Sequence, residues 1–273
     1  MRYQNMFETL KKQEKMAFIP FVTLGDPNYE LSFEIIKTLI ISGVSALELG
    51  LAFSDPVADG VTIQASHLRA LKHASMAKNF QLLKKIRGYN HDIPIGLLAY
   101  ANLIFSYGVD GFYAQIKECG VDSVLIADMP LIEKELVIKS AQKHQIKQIF
   151  IASPNASVKD LEQAATHSQG YIYTLARSGV TGASHTLEND ASAIIKTLKT
   201  FSPTPALLGF GISKKEHITN AKEMGADGVI CGSALVKIIE ENLNNEDAML
   251  EKIKGFVGGM ISLRLLGFVA SKN

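Results

Sequence analysis

Two carboxylates, Glu48 and Asp59, lie in the segment ALELGLAFSDPVADGVTIQ (46–64), and their surroundings differ sharply. Glu48 stands among Ala46, Leu47, Leu49 and Leu51, where an apolar strand would ordinarily carry Val or Ile. A carboxyl group desolvated in this way either keeps its proton toward neutral pH or takes a partner, and both outcomes suit acid/base chemistry. The sequence around it supplies no basic group, which weighs against a purely structural ion pair. Asp59 follows in a glycine-containing loop and offers a second carboxylate from another element, although an Asp before Gly60 is equally an ordinary turn residue. Tyr173, in YIYTLA (171–176), is a further polar candidate, while an aromatic residue in a strand most often serves packing.

A second group of residues suits an anion. The loop Arg177-Ser178-Gly179-Val180-Thr181-Gly182, the Gly209-Phe210-Gly211 triplet and the Gly232-Ser233 pair each follow an apolar run. Glycines let backbone N–H groups approach a ligand closely, and Ser233 opens the helical stretch ALVKIIEENL, whose first-turn donors have no partners within the helix. Each motif alone is weak, but together they suit a phosphate held on backbone amides. Arg177 could add a cation, with a role the sequence leaves open. The seven histidines form neither a His-Glu-x-x-His pattern nor a Cys/His zinc spacing, so no metal site is expected.

These groups need elements to position them. Short apolar runs at 17–24, 45–51, 93–100, 122–127, 148–152, 171–176, 206–210 and 228–232 read as eight strands. Helical periodicity fills the intervals, as at 29–43, 108–120, 134–145, 189–201 and 214–225. SGVSALEL, CGVDSVLI and MGADGVIC repeat one rhythm, a helix ending on a left-handed glycine that feeds the next strand. Eight βα units predict an α/β protein of the (β/α)8 class, a TIM barrel occupying 1–273 as a single domain. HLRALKH and KNFQLLKKIRG imply an extra helix after strand two, and the amphipathic start MRYQNMFETLKKQEKM implies an additional N-terminal helix. An open doubly wound sheet is the competing architecture, but the chain reads TLGDPN after strand one in place of G-x-G-x-x-G. In the barrel, Glu48, Asp59, Tyr173 and all three glycine segments fall at the C-terminal ends of strands, where such folds place their chemistry.

Composition bounds the partners. The 28 basic and 27 acidic residues nearly cancel and form no long like-charge run, so no nucleic-acid footprint is present. The N-terminal segment lacks the apolar run of a signal peptide, and 256–270 is too short and interrupted to span a bilayer. With only Cys119 and Cys231, the chain reads as reduced and cytoplasmic, each cysteine a small core residue. The expected ligand is a small molecule.

The segments ELGLAFSDPVADGVTIQ, PIGLLAYANL, GVDSVLIAD, RSGVTG, GFGIS and GSALVKIIEEN, in this order from about residue 15 to about residue 260, resemble the tryptophan synthase alpha chain family. The resemblance implies a lyase of tryptophan biosynthesis that cleaves indole-3-glycerol phosphate to indole and glyceraldehyde 3-phosphate by a retro-aldol reaction. By the same resemblance, Glu48 would protonate indole C3 and accept the hydroxyl proton, Asp59 would hold the indole N–H, and Tyr173 would orient the substrate. The phosphate would lie on Gly182, Gly211, Gly232 and Ser233 beside Phe210. The indole would lie among Phe21, Leu98, Tyr100, Leu125, Ala127, Ile151 and Ile230, although inward apolar residues of any barrel look alike.

The resemblance further implies no cofactor in this chain, pyridoxal phosphate belonging to a beta chain that receives the indole in an α2β2 complex. Asp55 and Pro56 in loop two, with Thr181 in loop six, would take part in closure and allosteric signalling to that partner. Departures are confined to the flanks of the site. Ala52 and Val61 stand where the family carries proline, which loosens the loop bearing Asp59, and Ala176 replaces a small hydroxyl residue before RSGVTG. A subunit that binds substrate but has little chemistry of its own, or another phosphate-binding barrel such as a sugar-phosphate isomerase, are the alternatives.

Overall fold

The computed structural model describes residues 1–175, 187–209 and 211–261, and of 187–190 the backbone only. Nine strands, all paired in parallel, run in the order β5-β4-β3-β2-β1-β9-β8-β7-β6. They are β1 (Ala17–Thr23), β2 (Leu47–Gly50), β3 (Ile95–Ala99), β4 (Ser123–Ile126), β5 (Lys147–Ile149), β6 (Ile151–Ala152), β7 (Ile172–Leu175), β8 (Ala206–Gly209) and β9 (Gly228–Cys231). The two ends of that order, β5 and β6, are consecutive in the chain and separated only by Phe150, so one barrel strand serves both edges. Backbone bonds from Gln169 to Gln148 (2.9 Å) and from Tyr173 to Phe150 (3.1 Å) join it to β7 and its approach. The (β/α)8 expectation is therefore met, with the fifth strand split in two. At the split the Phe150 N–H donates to Ser168 Oγ (3.1 Å), and its ring is buried among Leu161, Ile172, Ile194 and Leu198 outside the barrel.

The glycine rhythm of the sequence is visible in the backbone. Gly43, Gly120 and Gly225 all have positive φ, at 87°, 76° and 88°. Each closes a helix with the paired bonds of a Schellman motif, as where Gly120 N donates to Lys117 O (2.9 Å) and Val121 N to Ile116 O (3.1 Å). The polar residue two positions later then holds an amide at the start of a neighbouring strand. Ser45 Oγ accepts from Phe18, Asp122 Oδ2 from Ile95 and Asp227 Oδ2 from Ala206, at 3.0, 2.9 and 2.9 Å. One motif thus ends a helix, starts a strand and sets its register against the next.

Helices α2 (Tyr29–Ile41), α4 (Met76–Tyr89), α6 (Val109–Glu118), α7 (Glu135–Lys143), α9 (Leu187–Phe201), α10 (Lys215–Glu223) and α11 (Ser233–Glu241) match the periodic segments of the sequence. Side-chain oxygens of Asn28 and Ser75 accept from the first turns of α2 and α4, as N-caps do. The connection after β2 holds both α3 (Val61–Leu71) and α4, which is the expected extra helix. The short α5 (Ala101–Tyr107) before α6 and α8 (Val158–His167) complete the layer, and α12 (Glu246–Ile261) packs on α2 and α11. Among the described residues no helix is long and apolar enough to cross a membrane. Cys119 and Cys231 are free and buried.

Two apolar layers result. Outward strand residues such as Val22, Leu49, Leu97 and Val124 pack against the helices, and inward ones such as Ile19, Phe21, Leu98, Leu125, Leu207 and Ile230 fill the barrel. Helix α1 (Arg2–Lys12) contributes Tyr3, Met6, Phe7 and Leu10 to the interior cluster. Tyr3 shares a hydrogen bond with Ser123 Oγ (2.9 Å), and its ring lies 5.6 Å from that of Tyr171. The N-terminal helix therefore backs the interior residues on which the site rests.

Candidate active site

A cavity of about 370 Å³ opens among the C-terminal strand ends and is lined by Phe21, Glu48, Asp59, Leu98, Tyr173, Gly211, Ile230, Gly232 and Ser233 from the sequence reading. Its remaining lining residues, Gly60, Ile63, Ile212, Ser213 and Ala234, were not singled out by the sequence. Gly60, Ile212 and Ala234 adjoin a residue that was, Ser213 lies two positions beyond Gly211 and Ile63 one helical turn beyond Asp59, so proximity to Asp59, Gly211 and Ser233 was the available signal. Tyr100, Leu125, Ala127 and Ile151 do not line this cavity. They belong to, or pack against, the interior cluster around it. Asp55 and Pro56 lie in the loop above without lining the cavity, and Thr181, Gly182, Phe210, Ala176 and Arg177 lie outside the described residues.

Glu48 sits on β2 between Phe21 of β1 and Gly96 of β3, with 2% of its surface exposed. Burial pushes its carboxyl pKa up to about 7, and the negative charge of Asp59 adds to the rise. Tyr171 opposes them, donating its hydroxyl to Glu48 Oε1 at 3.0 Å and stabilising the anion. A carboxyl group poised between acid and anion near neutrality can give a proton and take one back.

Asp59 immediately precedes Gly60, the N-cap of α3. Tyr100 donates its hydroxyl to Asp59 Oδ2 (2.7 Å) and receives the Ala58 amide (3.2 Å), tying the loop to the end of β3. Gln64 reaches back to the Asp59 carbonyl at 2.8 Å. Tyr100 thus supports a site carboxylate from beside the cavity. Burial, then the neighbouring Asp59 charge, raises its pKa, so its hydroxyl stays a donor.

Tyr173 projects from β7 over β8. A Cβ built on Gly209 would come within 2.4 Å of its ring, so the glycine makes the space the ring occupies. Gly50 does the same for Phe21, at 2.6 Å. Burial drives the Tyr173 hydroxyl well above its ordinary pKa, with Glu48 and Asp59 adding to the effect. It remains a neutral donor at working pH.

Past the end of β8, Gly211 adopts φ +78°, a conformation that favours glycine. Gly232 caps α11, and its carbonyl accepts the amides of Leu235 and Val236, leaving the amides of Ser233 and Ala234 at the helix start beside the cavity. The cavity is thus bordered by amides at the positive end of a helix dipole, by a carboxyl and a carboxylate, and by apolar side chains. The arrangement fits a ligand with an anionic end and a flat apolar body carrying a polar reactive centre.

The comparisons with known proteins agree with that chemistry. The family model described as tryptophan synthase alpha chain matches residues 7–263. The chain is 97% identical over 262 residues to the tryptophan synthase alpha chain of Helicobacter pylori strain J99, covering 96% of this chain and 100% of that one. It is 49% identical over 260 residues to the alpha chain of Salmonella paratyphi C, covering 95% and 97%. Among solved structures it superposes on the alpha subunit of Legionella pneumophila strain Paris with a TM-score of 0.85 at 32% identity, over 95% and 96% of the two chains. A chain of the Pyrococcus furiosus tryptophan synthase a2b2 complex gives 0.80 at 34% identity, over 89% and 97%. Sequence, barrel and cavity converge, and the chain belongs to the tryptophan synthase alpha chain family.

Proposed function

We propose that this chain cleaves indole-3-glycerol phosphate to indole and glyceraldehyde 3-phosphate, the alpha-chain reaction of tryptophan synthase, with Glu48 as the proton carrier. The observation that carries the assignment is the Glu48 carboxyl, buried on a barrel strand and lining a cavity of matching chemistry, where desolvation raises its pKa. The protonated Glu48 gives its proton to indole C3, and the ring nitrogen takes up the positive charge. Asp59 accepts a hydrogen bond from the ring N–H and stabilises that charge. The Glu48 anion then removes the proton of the glycerol hydroxyl as the carbon–carbon bond breaks. Indole and the aldehyde form, and Glu48 is again an acid. Tyr173 orients the glycerol portion, while amides at Gly211, Gly232 and Ser233 hold the phosphate, with Gly182 and Phe210 assigned there by family resemblance alone.

Phe21, Leu98 and Ile230 flank the ring, and Tyr100 acts through Asp59. The chemistry requires no cofactor in this chain. The reading takes 1–273 as one barrel domain in the cytoplasm, joined to a beta chain in an α2β2 complex that receives the indole. Asp55, Pro56 and Thr181 belong to the loops assigned to closure and to signalling across that contact. Purified complex supplied with indole-3-glycerol phosphate is expected to form indole and glyceraldehyde 3-phosphate in equal amounts. An assembled complex that binds an indole phosphate analogue yet forms neither product would reduce this chain to a binding subunit.

A further inference from the structure

His67 lies on α3, fully buried, and the mechanism above does not use it. Its Nδ1 accepts the backbone N–H of Phe53 at 2.9 Å. An amide N–H can only donate, so Nδ1 carries no proton and the ring's single proton is on Nε2. Nε2 lies 3.4 Å from Asp59 Oδ2 without meeting hydrogen-bond geometry, and it has no hydrogen-bond partner among the described residues. The contact is therefore an N–H dipole facing a carboxylate rather than an ion pair. A buried donor without a partner is costly, which marks this position as one to explain.

The surroundings show what it can do. Tyr100 already donates to the same Oδ2 at 2.7 Å, and its ring meets the His67 ring edge-on at 6.3 Å. Both contacts of the carboxylate recorded among the described residues fall on Oδ2. Oδ1 has no hydrogen bond or ion pair among the described residues. The Phe53 ring stacks on Tyr100 at 5.0 Å, so the two anchors of the loop, one on α3 and one at the end of β3, are themselves packed together. Arg69, two residues on, is committed elsewhere, to Asp26.

We propose that His67 is a positioning residue: its Nε2–H closes onto Asp59 Oδ2 when substrate is bound and, with Tyr100, turns Oδ1 toward the indole nitrogen. The inference rests on the assignment of Asp59 to the ring N–H. It adds a specific donor from α3 that holds the loop carboxylate in its working orientation and couples loop order to ligand occupancy.

The test uses the assembled complex with its beta chain. His67→Leu is expected to lower kcat/KM for indole-3-glycerol phosphate cleavage by about tenfold to a hundredfold, the size of one hydrogen bond to a charged group. His67→Asn, whose amide offers an acceptor for Phe53 and a donor toward Asp59, is expected to recover most of the loss. In an Asp59→Asn background the His67→Leu change is expected to cost less than about threefold, because residues acting through one another are not additive. Full additivity, or equal activity of Leu and wild type, overturns the proposal.

Nitrogen NMR of the unsubstituted complex provides a measurement that depends on no variant. Nδ1 is expected unprotonated and Nε2 protonated, and the Nε2–H resonance is expected to move downfield when an indole phosphate analogue binds. A protonated Nδ1, or an Nε2–H unmoved by bound analogue, overturns it. If Asp59→Asn alone leaves cleavage intact, the assignment of Asp59 fails and His67 falls with it; if Asp59→Asn is impaired while His67→Leu is not, only the His67 proposal fails.

Discussion

At the scale of single residues, the site depends on opposed influences on one carboxyl group. Burial of Glu48 favours its neutral form, and the Tyr171 hydroxyl pulls the other way. In the proposed mechanism the neutral acid is the form that protonates indole, so cleavage is expected to weaken as pH rises through about 7. Tyr171→Phe removes the donor that stabilises the anion. Glu48 then holds its proton to higher pH, and the alkaline limb of the kcat profile is expected to shift upward, as read from indole release between pH 6 and pH 9. A downward shift would mean that the hydroxyl does not stabilise the anion. Glu48 was legible in the sequence because a carboxylate among leucines is conspicuous. Tyr171 was not, because its partner is 123 positions away and only barrel closure brings them together.

At the scale of elements, strand glycines make room for the rings that line the cavity. Gly209→Ala would drive a methyl group into the Tyr173 ring, so β8 or Tyr173 must shift. A loss of about tenfold to a hundredfold in kcat/KM is expected, in line with the sensitivity of catalysis to small displacements. Steady-state kinetics with unchanged kcat/KM would show that the ring's place is unimportant. Loop two offers the opposite experiment. Val61 is the first residue of α3, exposed, and follows Gly60 at φ −77°, ψ 164°. A first helical position after an extended residue accepts proline readily. Val61→Pro is expected to stabilise the chain by about 0.4–1 kcal/mol in denaturant unfolding, by restricting the unfolded state. Destabilisation would place Val61 outside helical geometry. The sequence made the helix-ending glycines and most elements readable because those signals are local, whereas the break at Phe150 and the short α5 depend on packing and gave no periodic sign. Ile63 and Ser213 escaped notice for a related reason: nothing in their types marks which side of the barrel rim they face.

At the scale of the whole molecule, the barrel separates rigid chemistry from adjustable chemistry. Glu48 is fixed on a central strand, with Phe21 and Gly96 on its two neighbours and an interior backed by α1. Asp59 instead sits on a loop tied down through Tyr100 and faced by His67. The amphipathic N-terminus was legible as a helix. Its position against the barrel interior was not, because the Tyr3 contact with Ser123 spans 120 residues. The release of equal amounts of indole and aldehyde expected from the assembled complex belongs to this scale, since the proposed mechanism draws on both the strand that carries Glu48 and the loop that carries Asp59.

The most direct test of Glu48 as the proton carrier is single-turnover cleavage of indole-3-glycerol phosphate by the Glu48→Gln complex, with affinity for an indole phosphate analogue measured on the same sample. Gln keeps the shape and loses the transferable proton. Cleavage is expected to fall by about a hundredfold to ten-thousandfold, the contribution of general acid/base catalysis, with analogue affinity within about threefold of wild type. Cleavage at the wild-type rate by a complex that binds the analogue normally would contradict the account.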